Sequence, residues 1–244
     1  MDIRFEKREH LQEKPDQKNL GFGKHFTDYM FVMDWDKEQG WHDAAIVPYG
    51  GIPMDPATMV LHYAQEIFEG MKAYRTADGS IQLFRPDKNM ARMNVSCDRL
   101  CIPKIDEEFA IKAIKTLVEV DKDWVPSLDG TSLYIRPYIF ATDAQVGVHP
   151  AKHLTFAIIL SPVGAYYPQG IAPVKIFVEQ KYVRAVIGGT GLLQLASQRE
   201  IGGRSFGAAG RVVVRDNDRC GVVLQRATHE LPRIDPRFIQ AASE

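Results

Sequence analysis

The chain has 244 residues, 45% of them hydrophobic and 25% charged, with a formal net charge of −1. That balance suits a globular protein with one large core or two small ones, and bulk charge gives no attraction for nucleic acid or a membrane surface. Three cysteines make no disulfide framework, no apolar run is long enough to span a bilayer, and the polar start lacks the apolar core of a secretory signal, so the expected location is the cytoplasm.

Residues 1–20 read as a solvated arm. From Phe26 to Trp35 the sequence alternates, with Thr27, Tyr29, Phe31, Met33 and Trp35 on one face and Asp28 and Asp34 on the other, which predicts a strand. Trp41 to Tyr49 can pair back to it. Ala57 to Phe68 predicts a helix ended by Gly70. Met71 to Tyr74 and Ile81 to Arg85 flank an Asp78-Gly79 turn and predict a hairpin. Asn89 is placed to cap a helix running to about Leu100.

Ile105 to Asp121 is the clearest helix. Asp106 is its expected cap, and Phe109, Ile111, Ile114, Leu117 and Val118 form its apolar stripe. Pro126 to Gly130 predicts a loop. Thr131 to Phe140 predicts a strand with Ser132, Tyr134, Arg136 and Tyr138 on one face and Leu133, Ile135 and Ile139 on the other. Pro137 places that strand at an edge or a bulge. Leu154 to Pro162 predicts a buried strand, and the Gly/Pro-rich stretch after it a linker. The expected domains are therefore 1–163, a linker over 164–173, and a second domain opening with a strand at Val174 to Gln180.

Two arginines stand out. Arg92, read as lying in the first turn of a helix capped by Asn89, combines free backbone N–H groups with a bidentate fork, the two needs of a phosphate site. Spacing alone leaves a solvated surface arginine open. Arg136 lies between two tyrosines on one strand face, an arrangement suited to a carboxylate ligand. A salt-bridged structural arginine is the other reading. His149 and His153 are four apart, but Pro150 breaks the helix that a paired metal-ligand face requires. Cys97 and Cys101 read as a reduced pair, so no metal site is expected. Gly188 to Gly191 matches neither the GxGxxG nor the P-loop pattern, which leaves a nucleotide site without support.

The order FGKHFTDYMF (22–31), LHYAQEIFEGMKAY (61–74), LFRPDKNMARM (83–93), VDKDWVP (120–126), GTSLYIRPYIF (130–140), SPVGAYYPQG (161–170) and YVRAVIGGTG (182–191) resembles the branched-chain amino acid aminotransferases, pyridoxal-phosphate enzymes of fold type IV. The likeness runs from about residue 21 to residue 191. It implies an α/β (α+β) fold, with a small N-terminal α/β domain and a larger pseudo-barrel cofactor domain, and a homodimer. It also implies roles. Arg92 and Arg184 match cofactor-binding arginines, Arg92 on the phosphate. Phe26, Tyr63, Phe68, Tyr134 and Tyr166 match the walls of a side-chain pocket. Arg136 matches the group that meets a substrate carboxylate, and Val148 a residue reaching into the partner subunit's pocket. The implied reaction is transamination of leucine, isoleucine and valine with 2-oxoglutarate or glutamate.

The resemblance stops abruptly. Two residues after GGTG the family places the lysine that attaches pyridoxal phosphate, and this chain has Gln194. The chain's 14 lysines end at Lys181, whereas eight of its 16 arginines fall between residues 192 and 244. Covalent attachment is not possible at Gln194, and Lys181 lies too far upstream to replace it. The sequence therefore predicts an inactive form of such an enzyme, with a second domain truncated or replaced from residue 192, by a shift of reading frame or else by a genuine divergent tail, and poor solubility from unpaired strand edges. The alternatives are a non-catalytic dimerisation or binding protein, or another fold type IV enzyme such as a D-amino acid aminotransferase.

Overall fold

The computed structural model describes residues 1–165. The strand expected at Val174 to Gln180, all but two residues of the expected linker, and the tail lie outside the described residues. Within them the elements follow as β1 (Arg4–Phe5), β2 (Tyr29–Asp36), β3 (Gly40–Pro48), α1 (Met59–Tyr63), β4 (Glu66–Phe68), β5 (Met71–Arg75), β6 (Ile81–Leu83), α2 (Pro86–Leu100), α3 (Glu107–Val120), β7 (Ser132–Ala141) and β8 (His153–Val163). These strands form one sheet in the order β1-β3-β2-β8-β7-β5-β6, with β4 also paired to β7. All the pairings are antiparallel except β1 with β3. The mixed α/β class is thus as expected, in its α+β form.

The core lies between α2, α3 and one face of the sheet. Met90, Met93 and Cys97 of α2 and Ala110, Ala113, Ile114 and Leu117 of α3 meet Phe31, Met33, Leu133, Ile135, Phe156 and Ile158 there. Period-two alternation explains the sheet's contribution, because Leu133, Ile135 and Ile139 of β7 are all buried while Tyr134, Arg136 and Tyr138 take the opposite face. The helix stripe is smaller than expected. Ala110 and Ala113 occupy its centre, and Phe109 and Ile111 pack at its margin. Small side chains there let α3 approach the sheet closely.

Four expectations are corrected. The arm at residues 1–20 is largely exposed, as expected, but it is also tied to the sheet. β1 pairs with β3, the Arg8 guanidinium donates to the Asp28 carbonyl at 3.1 Å, and the Gln12 backbone N–H donates to the Asp28 carboxylate at 2.7 Å. Asp28, expected on a polar face, is consequently buried, and it also accepts from Trp124 Nε1 at 2.7 Å. The helix expected over 57–68 stops at Tyr63, because Ala64 turns left-handed (φ 49°) and Ile67 and Phe68 pair with Ile139 and Tyr138 as β4. Cross-strand pairing of β-branched and aromatic side chains outweighs the helical tendency of so short a run.

The third correction concerns Pro137. It sits neither at an edge nor at a bulge, because β7 is flanked along its length by β8 on one side and by β5 and β4 on the other. β4 and β5 pair with β7 in one continuous register that sets Glu69 opposite Pro137, and the Pro137 carbonyl accepts from the Glu69 N–H at 2.9 Å. The bond Pro137 cannot return leaves the ladder one donor short at the point where β4 and β5 part. The fourth concerns α2. Its first residue is Pro86, entered from Arg85 at φ 46°, so Asn89 is inside the helix and not its cap. Arg92 accordingly lies beyond the first turn, and the expected helix-end contribution to a phosphate site is withdrawn.

Candidate active site

The two-residue break between β4 and β5, Glu69 and Gly70, organises the candidate site. Alternation along β4 sends Phe68 to the sheet face that carries Arg136, and turns the next residue, Glu69, towards α2. Glu69 is 4% exposed and grips Arg92 with both oxygens, Oε1 to Nε at 2.6 Å and Oε2 to Nη2 at 2.8 Å. Asn89 Nδ2 adds a bond to Glu69 Oε2 at 2.9 Å and another to the Gly70 carbonyl at 3.2 Å. The hydrogen bonds and charge of Glu69 hold the Arg92 pKa above its ordinary value. One edge of the guanidinium is committed, while the side chain remains 68% exposed and its Nη1 donors take no part in those two bonds.

Arg136 has a different setting. Its Nε and Nη2 both donate to the Tyr134 hydroxyl, at 3.1 and 2.7 Å. The guanidinium lies 4.2 Å from the centroid of Phe68 and 5.3 Å from that of Tyr134. Phe22 packs against Tyr134, with ring centroids 5.0 Å apart and planes tilted by 58°. Among the described residues no carboxylate pairs with Arg136. Burial and the nearby Tyr49 raise the Tyr138 pKa, and burial raises that of Tyr49.

The other expected wall residues fall into two satellite groups. Phe26 stacks on Tyr49 with centroids 4.9 Å apart and ring planes 9° from parallel. Tyr63, at the end of α1, donates its hydroxyl to the Val146 carbonyl, which ties α1 to the loop bearing the exposed Val148. No hydrogen bond, ion pair or ring contact among the described residues links Phe26, Tyr63 or Val148 to Arg136. Tyr166, Arg184 and Gln194 lie outside the described residues. Sequence reading missed Glu69 and Gly70. Neither residue type signals a site by itself, and only the pairing of β4 and β5 with β7, which turns Glu69 to the face under α2, brings it to Arg92.

Among the described residues no three His, Cys, Asp or Glu side chains gather around a point. His149 bonds the Pro150 carbonyl and His153 the Asp143 carboxylate, while burial pushes the Cys97 thiol up to about 12. No helix among the described residues is long and apolar enough to cross a membrane.

Residues 66–183 match the family described as amino-transferase class IV. The resemblance to branched-chain aminotransferases is equally direct. The chain is 52% identical over 195 residues to branched-chain-amino-acid transaminase 1 of Bacillus subtilis (strain 168), covering 80% of this chain and 55% of that protein. It is 56% identical over 189 residues to branched-chain-amino-acid aminotransferase 2 of the same organism, covering 78% and 52%. The chain thus spans about half the length of the curated relatives it matches. The branched-chain aminotransferase of Thermoproteus uzoniensis, solved with norvaline, aligns with a TM-score of 0.46 at 22% identity over 57% of this chain and 43% of that one.

Proposed function

We propose that the site is that of a branched-chain amino acid aminotransferase, serving leucine, isoleucine and valine with 2-oxoglutarate or glutamate, and that this polypeptide does not complete the reaction. The observation that carries the proposal is Arg136. It is a charged guanidinium framed by Phe68 and Tyr134 that no carboxylate neutralises among the described residues, in a chain about half identical to proteins of that name. Such a frame can present apolar walls to a branched side chain and a bidentate fork to a dicarboxylate. Phe26, Tyr63, Phe68, Tyr134, Tyr166 and Val148 are the proposed walls, Val148 acting across a homodimer.

The cofactor proposed is pyridoxal 5'-phosphate, which when bound supplies the electron sink that lets an amino acid release its α-proton. Residues in the chain fit one end of it only. Arg92, with Nη1 unspent and its other edge fixed by Glu69, suits the phosphate, and Arg184 is the proposed second basic group. Gln194 does not suit the other end. A carboxamide has no basic amine to attach the cofactor or to carry a proton, so no catalytic step is assigned to it. The proposed domains remain 1–163, the linker 164–173 and a second domain from 174 that departs from the family at 192.

Titrating the purified full chain with glutarate and with 4-methylpentanoate tests the site. Both acids should bind, and Arg136→Gln should abolish the preference for the dicarboxylate. Binding of neither acid would reject the reading. A stable cofactor-free dimer that binds neither would favour the non-catalytic alternative, and preference for D-amino acids would favour the other fold type IV enzyme.

A further inference from the structure

Gly70 does not use the freedom for which glycine is usually retained. Its φ is outside the left-handed region, so the backbone there would accept other residues. The restriction is one of space. A Cβ built on Gly70 would collide with the Tyr134 hydroxyl and would stand 3.1 and 3.2 Å from Tyr134 Cζ and Cε2. Those atoms cannot yield easily. The ring packs against Phe22, and the hydroxyl accepts both bonds from Arg136.

We infer that Gly70 is a positioning residue for Arg136: the side chain it lacks is the space in which the Tyr134 hydroxyl stands to hold the guanidinium over Phe68. The inference rests on the proposed role of Arg136 as the partner of a substrate carboxylate, and adds a determinant of selectivity. With a larger residue at 70, Tyr134 must shift, and Arg136 loses the acceptor that fixes its Nε and Nη2. Of the proposed walls only Tyr134 is displaced, and Phe68 keeps its place through its own pairing with β7. A dicarboxylate therefore loses more than an apolar acid does.

The test uses the full chain as wild type, Gly70→Ala, Tyr134→Phe and the double variant, followed by 15N NMR of the Arg136 Nε–H. The wild-type signal should be slow to exchange and shifted by the Phe68 ring. Gly70→Ala should move it and speed its exchange, Tyr134→Phe should do the same, and the double variant should go no further than Tyr134→Phe alone. An unchanged Nε–H signal in Gly70→Ala overturns the inference. If Gly70→Ala does not fold, the double variant, which lacks the hydroxyl that the new Cβ strikes first, should recover folding, and failure to recover also overturns it. In parallel, Gly70→Ala should weaken glutarate at least fivefold and 4-methylpentanoate less than twofold, and equal losses count against it. If the wild type binds neither acid, the proposed function fails while the NMR comparison still decides the role of Gly70.

Discussion

Arg92 and Arg136 show how one side-chain type takes two tasks from its surroundings. Arg92 is fixed and largely neutralised by a buried carboxylate, whereas Arg136 is fixed by a neutral hydroxyl and keeps its charge. A lysine at 136 would keep the charge but lose the planar fork and the stacking on Phe68, so Arg136→Lys should weaken glutarate binding about tenfold, as read by calorimetry. A second residue-scale consequence concerns Asp121. Burial, opposed by the Thr27 hydroxyl and the Tyr29 N–H and reinforced by Asp28, pushes its carboxyl up to about 6. The folded state then binds the proton more tightly than the unfolded chain, so stability is greatest below about pH 4 in this term and falls as pH rises through 6, by on the order of 2–3 kcal/mol. Asp121→Asn keeps an oxygen for the Tyr29 N–H and removes the charge. Urea unfolding across pH 4–7 should lose this downward slope, with stability raised at neutral pH.

At the scale of elements, α3 was legible because its signals are local. Asp106 accepts from the Phe109 N–H at 2.8 Å, as its position before an acidic first turn implies. Asp106→Ala should cost about 1 kcal/mol and Ile114→Ala about 2–5 kcal/mol of unfolding free energy, the second larger because it opens a cavity against Phe31's face of the core. The hairpin at Asp78-Gly79 was legible for the same reason, with Gly79 at φ 85° in the turn. The misread elements depend on distant partners. Nothing near Ile67 announces that β7 will pair with it, and nothing near Pro137 announces that its bare nitrogen will face the break between β4 and β5. The start of α2 did carry a local sign, Pro86, but Asn89 was a stronger lure. Its amide instead serves Glu69 and Gly70. Spacing alone made Arg92 and Arg136 candidates, and the family resemblance assigned their roles. Their supports, Glu69 and Gly70, became visible only when β4 and β5 were seen to meet.

For the whole molecule, the sheet, α2 and α3 carry one jaw of the proposed site, and the residue proposed to hold the cofactor's other end is a glutamine. The switch from lysine-bearing to lysine-free, arginine-rich sequence at 192 is the mark expected of a shifted reading frame. Translating the encoding DNA in its other two frames should restore a Gly-Gly-Asn-Tyr stretch preceded by a lysine, and its absence from both would make the tail genuine. Sedimentation of the full chain tests the proposed homodimer, on which the role of Val148 depends. The central claim, a recognisable site without its attachment residue, is tested most directly by turnover. Purified full chain with pyridoxal 5'-phosphate, leucine and 2-oxoglutarate should form glutamate no faster than the free cofactor does. Leucine-dependent glutamate formation above that background would contradict the account.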